Sequence, residues 1–173
     1  MSELFSVQLQ NRQQQGGDGI WLNLPTTTEQ VQAALRQIGI SSDNPQGLFI
    51  SGYFAEEEKR FAIPYNMVMA SSVDELNFLA ARLETLSAGE RAELNAALQA
   101  PQSELSSIGR IIDFPENVDY YVHLPDVRGP AQLGDYYLNR SGMVDMPEEW
   151  KGGIDTAQFG RYVAQQEKGV FTE

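Results

Sequence analysis

The stretch SSVDELNFLAARLETLSAGERAELNAAL, residues 71–98, determines the middle of the fold. Ser72 with Glu75, and Ser87 with Glu90, each form the Ser-x-x-Glu pattern of a capping box, which marks the start of a helix. One apolar stripe recurs at helical spacing between the two boxes, formed by Leu76, Leu79, Leu83 and Leu86. The stretch therefore predicts two consecutive amphipathic helices, the second of which ends before Pro101.

The first 69 residues show strand patterns around one helix. Runs that alternate or cluster apolar residues predict four strands, at Leu4–Gln10, Gly19–Leu24, Leu48–Phe54 and Phe61–Val68. A gap rich in Gln and Gly separates the first two, which predicts an antiparallel ribbon. Thr26 with Glu29 is a further capping-box pattern, and the helix that it starts is predicted to end at Gly39.

The pattern becomes mixed again after a third helical piece, predicted at Ser103–Asp113. The later predicted elements are a strand at Val118–Leu124, a helix at Ala131–Arg140 closed by Gly142, a helix at Asp155–Gln166 and a short terminal strand at Val170–Phe171. The whole pattern predicts an α+β chain of three small subdomains: a strand-rich one over residues 1–69, a helical one over 70–113 and a mixed one over 114–173.

The charge of the chain restricts its partners. Asp and Glu outnumber Lys and Arg by 24 to 12 in 173 residues, for a net charge of −12, and the excess is spread along the whole sequence. Such a chain repels nucleic acid and anionic membrane surfaces and attracts basic grooves, so we expect a cationic protein partner. The sequence has no signal-peptide pattern and no run of about 18 apolar residues, which predicts a cytoplasmic protein.

The catalytic and metal-binding inventory is small. His123 is the only histidine, lies in an apolar, strand-like context and has no nucleophile nearby in sequence, so we interpret it as a structural or surface imidazole. Cysteine is absent, and no calcium-loop or phosphate-loop pattern occurs. Asp113, Glu116 and Asp119 lie close enough in sequence to suggest carboxylate-dependent hydrolysis, but such proximity is expected by chance among 24 acids. The sequence predicts no enzyme, no metal and no cofactor.

Aromatic residues crowd the last 60 residues and leave an alternative open. The set comprises Tyr120, Tyr121, Tyr136, Tyr137, Trp150, Phe159 and Tyr162. Exposed members of this set would suit a homodimer or partner interface. The alternative hypothesis is an acidic regulatory or scaffold protein that binds one partner through this aromatic C-terminal surface.

Several motifs, in order along the chain, indicate a family. The run Glu75–Leu86 resembles the central helix of the ArdA antirestriction proteins. The other landmarks that match the family are Gly19–Pro25, Leu133–Tyr137, Ile154–Asp155, Phe159–Arg161 and Gly169–Thr172. They span nearly the whole chain.

The resemblance implies an elongated α+β protein of three subdomains that forms a homodimer through its C-terminal part. Members of this family mimic bent B-form DNA with surface carboxylates and occupy the DNA-binding groove of type I restriction-modification enzymes. They break no bond themselves and let a mobile genetic element escape restriction.

The candidate partner-binding residues are acids from the helical segment and the beginning of the C-terminal segment. We select them by position and composition. They are Asp74, Glu75, Glu84, Glu90, Glu93, Glu104, Asp113, Glu116, Asp119, Asp126 and Asp135.

Overall fold

The computed structural model of the chain describes residues 3–14, 17–41, 45–100, 103–117 and 121–171. Within these residues the chain forms helices and a three-stranded antiparallel sheet, so the predicted α+β class is confirmed. The strands are β1 (Phe5–Asn11), β2 (Ile20–Leu24) and β3 (Leu48–Phe54). The α-helices are α1 (Thr28–Gln37), α2 (Tyr65–Met69), α3 (Val73–Glu84), α4 (Ala88–Gln99), α5 (Ile108–Ile112), α6 (Pro130–Asp135), α7 (Glu148–Lys151) and α8 (Thr156–Gln166).

The described chain divides into two compact units. The first comprises Met1–Leu94 with Glu104–Val118, and the second comprises Asn95–Ser103 with Asp119–Glu173. The sheet, α1 to α3 and α5 belong to the first unit, and α6 to α8 belong to the second. The three-subdomain organisation stays a prediction.

The sheet has the order β2-β1-β3, with both pairs antiparallel. The predicted ribbon of the first two strands is therefore confirmed. Alternate residues of β1 are buried, among them Val7 and Leu9, because one face of the sheet packs on the core and the other faces outward. A register shift between Gln8 and Leu9 adjusts the pairing of β1 with β3.

Helix α1 begins one residue later than predicted. Its capping box joins Thr27 to Gln30, not Thr26 to Glu29. The predicted end is confirmed: Gly39 has φ +70°, and the backbone N–H groups of Gly39 and Ile40 donate to the carbonyls of Arg36 and Leu35. This is the Schellman arrangement, in which glycine accepts the left-handed conformation without a Cβ clash.

The predicted strand at Phe61–Val68 is wrong. Residues 61–64 are irregular, and α2 begins directly after Pro64. Phe61, Ile63 and Val68 are all buried, so the apolar run does fill the core. The strand prediction fails because a short apolar run fits a buried strand and a buried helix turn equally well.

The helical middle follows the predicted stripe. Leu76, Leu79 and Leu83 of α3 have no exposed surface, and Leu94 of α4 is equally buried. Both predicted capping boxes form, at Ser72 with Glu75 and at Ser87 with Glu90. The third piece is shorter than predicted, because α5 begins only after its N-cap Ser107 and the described residues before it are not helical.

The second unit keeps two predicted helices and loses the predicted strands. Helix α6 continues as a π-helical turn over Tyr136–Arg140, and Asp155 caps α8 as expected. In the predicted strand Val118–Leu124, residues 118–120 lie outside the described residues and 121–124 are irregular. Residues 170 and 171 form no strand either. These short apolar segments gain no strand partner within the described residues, and a strand is stable only when its ladder is paired.

Candidate functional site

Eight of the eleven candidate acids belong to the first unit. They are Asp74, Glu75, Glu84, Glu90, Glu93, Glu104, Asp113 and Glu116. Asp126 and Asp135 belong to the second unit, and Asp119 lies outside the described residues. The structure thus brings most of the set into one compact unit, built on α3, α4 and the segment around α5.

Two of these acids cap helices. The Glu75 carboxylate accepts hydrogen bonds from the Ser72 backbone N–H and hydroxyl, each 3.1 Å long. The Glu90 carboxylate accepts the same pair from Ser87, at 2.8 Å and 2.6 Å. The Ser87 hydroxyl, and then its backbone N–H, lower the pKa of the Glu90 carboxyl below its ordinary value. Both carboxylates therefore lie at helix N-termini, where their negative charge also interacts favourably with the positive end of the helix dipole.

Two other candidates are neutralised by neighbouring cations. Arg82 Nη2 lies 2.8 Å from the Glu116 carboxylate, and Arg140 Nη2 lies 3.2 Å from the Asp135 carboxylate. Asp135 also accepts a hydrogen bond from Asn139. An acid that already has a cationic partner offers less charge to another protein, so Glu116 and Asp135 are the weakest members of the set.

Five candidates carry carboxylates with no hydrogen bond or ion pair to other described residues. They are Asp74, Glu93, Glu104, Asp113 and Asp126. Asp74, Glu104, Asp113 and Asp126 are exposed, and Glu93 is half-buried. Glu84 is half-buried and interacts with a neighbour. We call the set of five the free carboxylates.

The sequence did not reveal how the cations of the first unit are held. Arg36, Arg91 and Arg110 donate to the backbone carbonyls of Gln32, Lys59 and Glu104, at 3.2 Å, 3.3 Å and 2.9 Å. Two of the unit's guanidiniums lie over aromatic rings, with Arg12 at 5.1 Å from the centroid of Phe49 and Arg91 at 4.5 Å from that of Phe61. These four arginines therefore make no ion pair with a carboxylate of the described residues, whereas Arg82 and Lys59 of the same unit pair with Glu116 and Glu56.

Three further observations concern His123, metal ligands and membrane spans in the described part of the chain. His123 is exposed in an irregular segment, where the sequence had predicted a strand. Within the described ranges, no group of three or more His, Asp or Glu side chains could hold a metal ion. None of the helices over those ranges is long and apolar enough to cross a membrane.

A family model described as antirestriction protein (ArdA) matches residues 17–173 of the chain. The chain belongs to the ArdA antirestriction family. The match contains every ArdA landmark recognised in the sequence, from Gly19–Pro25 to Gly169–Thr172. Among curated proteins, no sequence matches this ArdA chain. The family description names antirestriction proteins and not a class of enzymes, and restriction enzymes are the interaction partners that it implies.

Proposed function

We propose that this protein mimics B-form DNA and competitively inhibits type I restriction-modification enzymes by occupying their DNA-binding groove. No bond is broken, and the protein acts from the cytoplasm of the cell that a mobile genetic element enters. The family membership supports the antirestriction role. The acidity of the chain supports the mimicry, because a groove that binds phosphates with Lys and Arg also attracts carboxylates.

The observation that carries the proposal is the different placement of the two charge signs in the first unit. This unit holds 15 of the 24 acids and 7 of the 12 bases, for a net charge of −8. Four of its seven bases bind backbone carbonyls or rings, whereas the four free carboxylates that lie in this unit make no ion pair with the described residues. Carboxylates therefore dominate the charge that this unit offers to a partner.

The net charge of the protein determines the length of DNA duplex whose charge it can match. Duplex DNA carries one charge per about 1.7 Å of axis, so a net charge of −8 matches about 14 Å of duplex. The whole chain, at −12, matches about 20 Å. A homodimer carries −24 and matches about 40 Å, roughly twelve base pairs. A homodimer is therefore part of the proposal, because it doubles the length of duplex whose charge is matched.

Exposed apolar side chains in the second unit support this dimer. Trp150 and Tyr162 expose 67% and 60% of their surface, and Met143 is exposed to 73%. Large apolar side chains at such exposure favour burial against another protein surface, and a symmetric dimer is the commonest oligomer. The same exposure also favours the second candidate function, an acidic scaffold that binds one partner through this aromatic surface.

Competition with DNA for a purified type I restriction enzyme separates the two functions. The test variant neutralises the free carboxylates with Asp74→Asn, Glu93→Gln, Glu104→Gln, Asp113→Asn and Asp126→Asn. The matched control removes five exposed charges outside the candidate set, with Glu57→Gln, Glu58→Gln, Asp145→Asn, Glu149→Gln and Glu167→Gln. Both variants lose the same net charge, so a difference between them reports position.

A DNA mimic should bind tightly at low salt and lose affinity steeply as salt rises. Each exposed charge contributes about 0.2–1 kcal/mol, so the test variant should lose about 1–5 kcal/mol of binding and show a shallower salt dependence. The control should lose less. If the folded test variant competes as well as the parent at every salt concentration, the DNA-mimic assignment is wrong and the scaffold is favoured.

A further inference from the structure

The outer face of the sheet carries one aromatic ring in each of three successive rows. The strand register places Phe54 beside Ser6, Trp21 beside Gln8, and Phe49 beside Gln10. Ser6, Gln8 and Gln10 alternate with the buried residues of β1, so the rings share its outward face. Rows on one face of a strand are about 7 Å apart, and no charged residue stands at these paired positions. The paired positions of this face are therefore uncharged and aromatic, while Glu3, Glu56 and Lys59 lie around its Phe54 end, in a unit of net charge −8.

Trp21 lies across the sheet at the centre of this face. An added Cβ on Gly52 of β3 would lie 2.9 Å from Trp21 Cη2 and 3.1 Å from Gln8 Cβ, so the indole reaches from β2 over β1 to β3. Gly52 leaves the space that this position requires. Trp21 still exposes 49% of its surface and Phe54 exposes 59%. The rings are thus positioned by the sheet and remain accessible.

The face already binds one guanidinium. The Arg12 side chain lies over the Phe49 ring, 5.1 Å from the centroid. Within the described residues, no cation lies over Trp21 or Phe54. An aromatic face attracts guanidinium through its negative quadrupole, and the attraction strengthens when water is excluded. The chemistry seen at Phe49 is therefore available at the other two rings.

We propose that the outer face of the sheet, with Trp21 and Phe54, binds arginine side chains that line the DNA-binding groove of the partner enzyme. The proposal rests on the proposed function. A second copy of the protein or a single-stranded nucleic acid could also cover an aromatic face. A unit of net charge −8 repels both of these, whereas it attracts a cationic groove, so charge complementarity favours arginine side chains. The free carboxylates supply long-range attraction, and the rings supply short-range contact with guanidinium planes.

The test uses the full protein in competition with DNA for a type I restriction enzyme. Trp21→Leu and Phe54→Leu remove the aromatic ring and keep an apolar side chain, whereas Trp21→Phe keeps a ring. We expect Trp21→Leu to weaken inhibition about 3- to 30-fold and Trp21→Phe to recover most of that loss. The slope of affinity against salt should stay at the parent value, because no charge is removed. Gly52→Ala displaces the indole without removing it and should also weaken inhibition.

Circular dichroism and the thermal midpoint establish that each variant is folded. Folded Trp21→Leu and Gly52→Ala variants that inhibit within twofold of the parent would overturn this inference. The DNA-mimic proposal would still stand if the free-carboxylate variant had lost affinity. If Trp21→Leu and Trp21→Phe weaken inhibition equally, the aromatic ring itself does not matter. The contact would then be merely apolar, and the arginine assignment would be overturned. A changed sedimentation coefficient for Trp21→Leu would identify a second copy as the occupant, and absence of inhibition by the parent would overturn both proposals.

Discussion

Gly134 of α6 lies directly against Gly160 of α8. An added Cβ on Gly160 would lie 2.8 Å from the Gly134 backbone nitrogen, and one on Gly134 would lie 3.1 Å from the Gly160 nitrogen. The same added atoms would overlap the carbonyl oxygens of Pro130 and Thr156. The two helices of the second unit therefore meet backbone to backbone, a distance that only glycine permits.

This contact predicts that Gly134→Ala and Gly160→Ala each destabilise the second unit. The obstacle in both cases is backbone that cannot rotate away, so the loss should reach about 3 kcal/mol or more, the upper end for overpacked positions. Urea unfolding measures it. Gly152→Ala is the matched control, because it lies in the same unit with helical φ and no atom within 4 Å of an added Cβ. Its stability should stay within about 0.5 kcal/mol of the parent, and equal losses in all three variants would contradict the prediction.

Asn77 joins α3 to the segment after β2. Its Oδ1 accepts from the Thr26 backbone N–H at 2.7 Å, and its Nδ2 donates to the Thr26 carbonyl at 3.0 Å. Asn77→Ala leaves two backbone groups without these partners and should cost about 1–3 kcal/mol of folding stability. Asn77→Asp keeps only the acceptor, so its folding stability should lie between those of the parent and Asn77→Ala. The exposed Asn66 of α2 is the control, and Asn66→Ala should change thermal stability by less than about 0.5 kcal/mol.

The capping box at Glu90 predicts a contribution to pH dependence. The Ser87 hydrogen bonds lower the pKa of Glu90 in the folded protein, so its stabilising contribution is fully present above the ordinary value of 4.5. That contribution is lost as pH falls through the lower, folded-state pKa. Glu90→Gln retains a side chain that can complete the box but removes the titration. The stability difference between parent and variant should therefore be larger at pH 7 and shrink below pH 4.5.

The control for this effect is Ser87→Ala, which removes the hydrogen bonds of the hydroxyl. Ser87→Ala should remove only part of the pH dependence, because the backbone N–H of residue 87 still donates to Glu90. The double variant should lose as much pH dependence as Glu90→Gln, and the two substitutions should be non-additive at pH 7 because they act on one pair. Denaturant unfolding across pH 3 to 7 measures all four proteins. A Glu90→Gln difference that is constant with pH would contradict the assignment.

The proposed dimer predicts a change of mass when charge is placed in the aromatic surface of the second unit. Trp150→Asp with Tyr162→Asp puts two carboxylates where apolar surface would be buried, and an unpaired buried charge is costly. Sedimentation velocity at micromolar concentration should show a dimer for the parent and a monomer for the variant. Phe78→Asp, at an exposed aromatic of α3, should remain a dimer. If the parent is a monomer, the proposed dimer is wrong. If the double variant is still a dimer, the dimer contact does not involve Trp150 and Tyr162.

The helix starts of the middle segment could be predicted because a capping box is a local device. Ser72 and Glu75 are three residues apart, and so are Ser87 and Glu90, so their hydrogen bonds form whatever else the chain contacts. The run from Phe61 to Val68 could not be assigned in the same way. Its apolar residues are buried as expected, but packing decided that they enter the core through irregular chain and a helix turn after Pro64.

The candidate acids show the same division. Composition was enough to predict a cationic partner, but the sequence could not distinguish Glu116, which pairs with Arg82 34 residues away, from Asp113, whose carboxylate is free. It also gave no sign that Arg91 binds the Lys59 carbonyl. Contacts between distant residues depend on which segments pack together, and residue order alone does not specify that.

The sequence by itself determined the net charge, the α+β class and the helices whose caps and apolar stripes lie within a few residues of one another. Only the tertiary structure decided that Trp21 lies over Gly52, that Gly134 meets Gly160, and which carboxylates stay free. The physical reason is range. Helical hydrogen bonds join residues about four positions apart, whereas strand register and helix contact join residues tens of positions apart and are fixed only when the core closes.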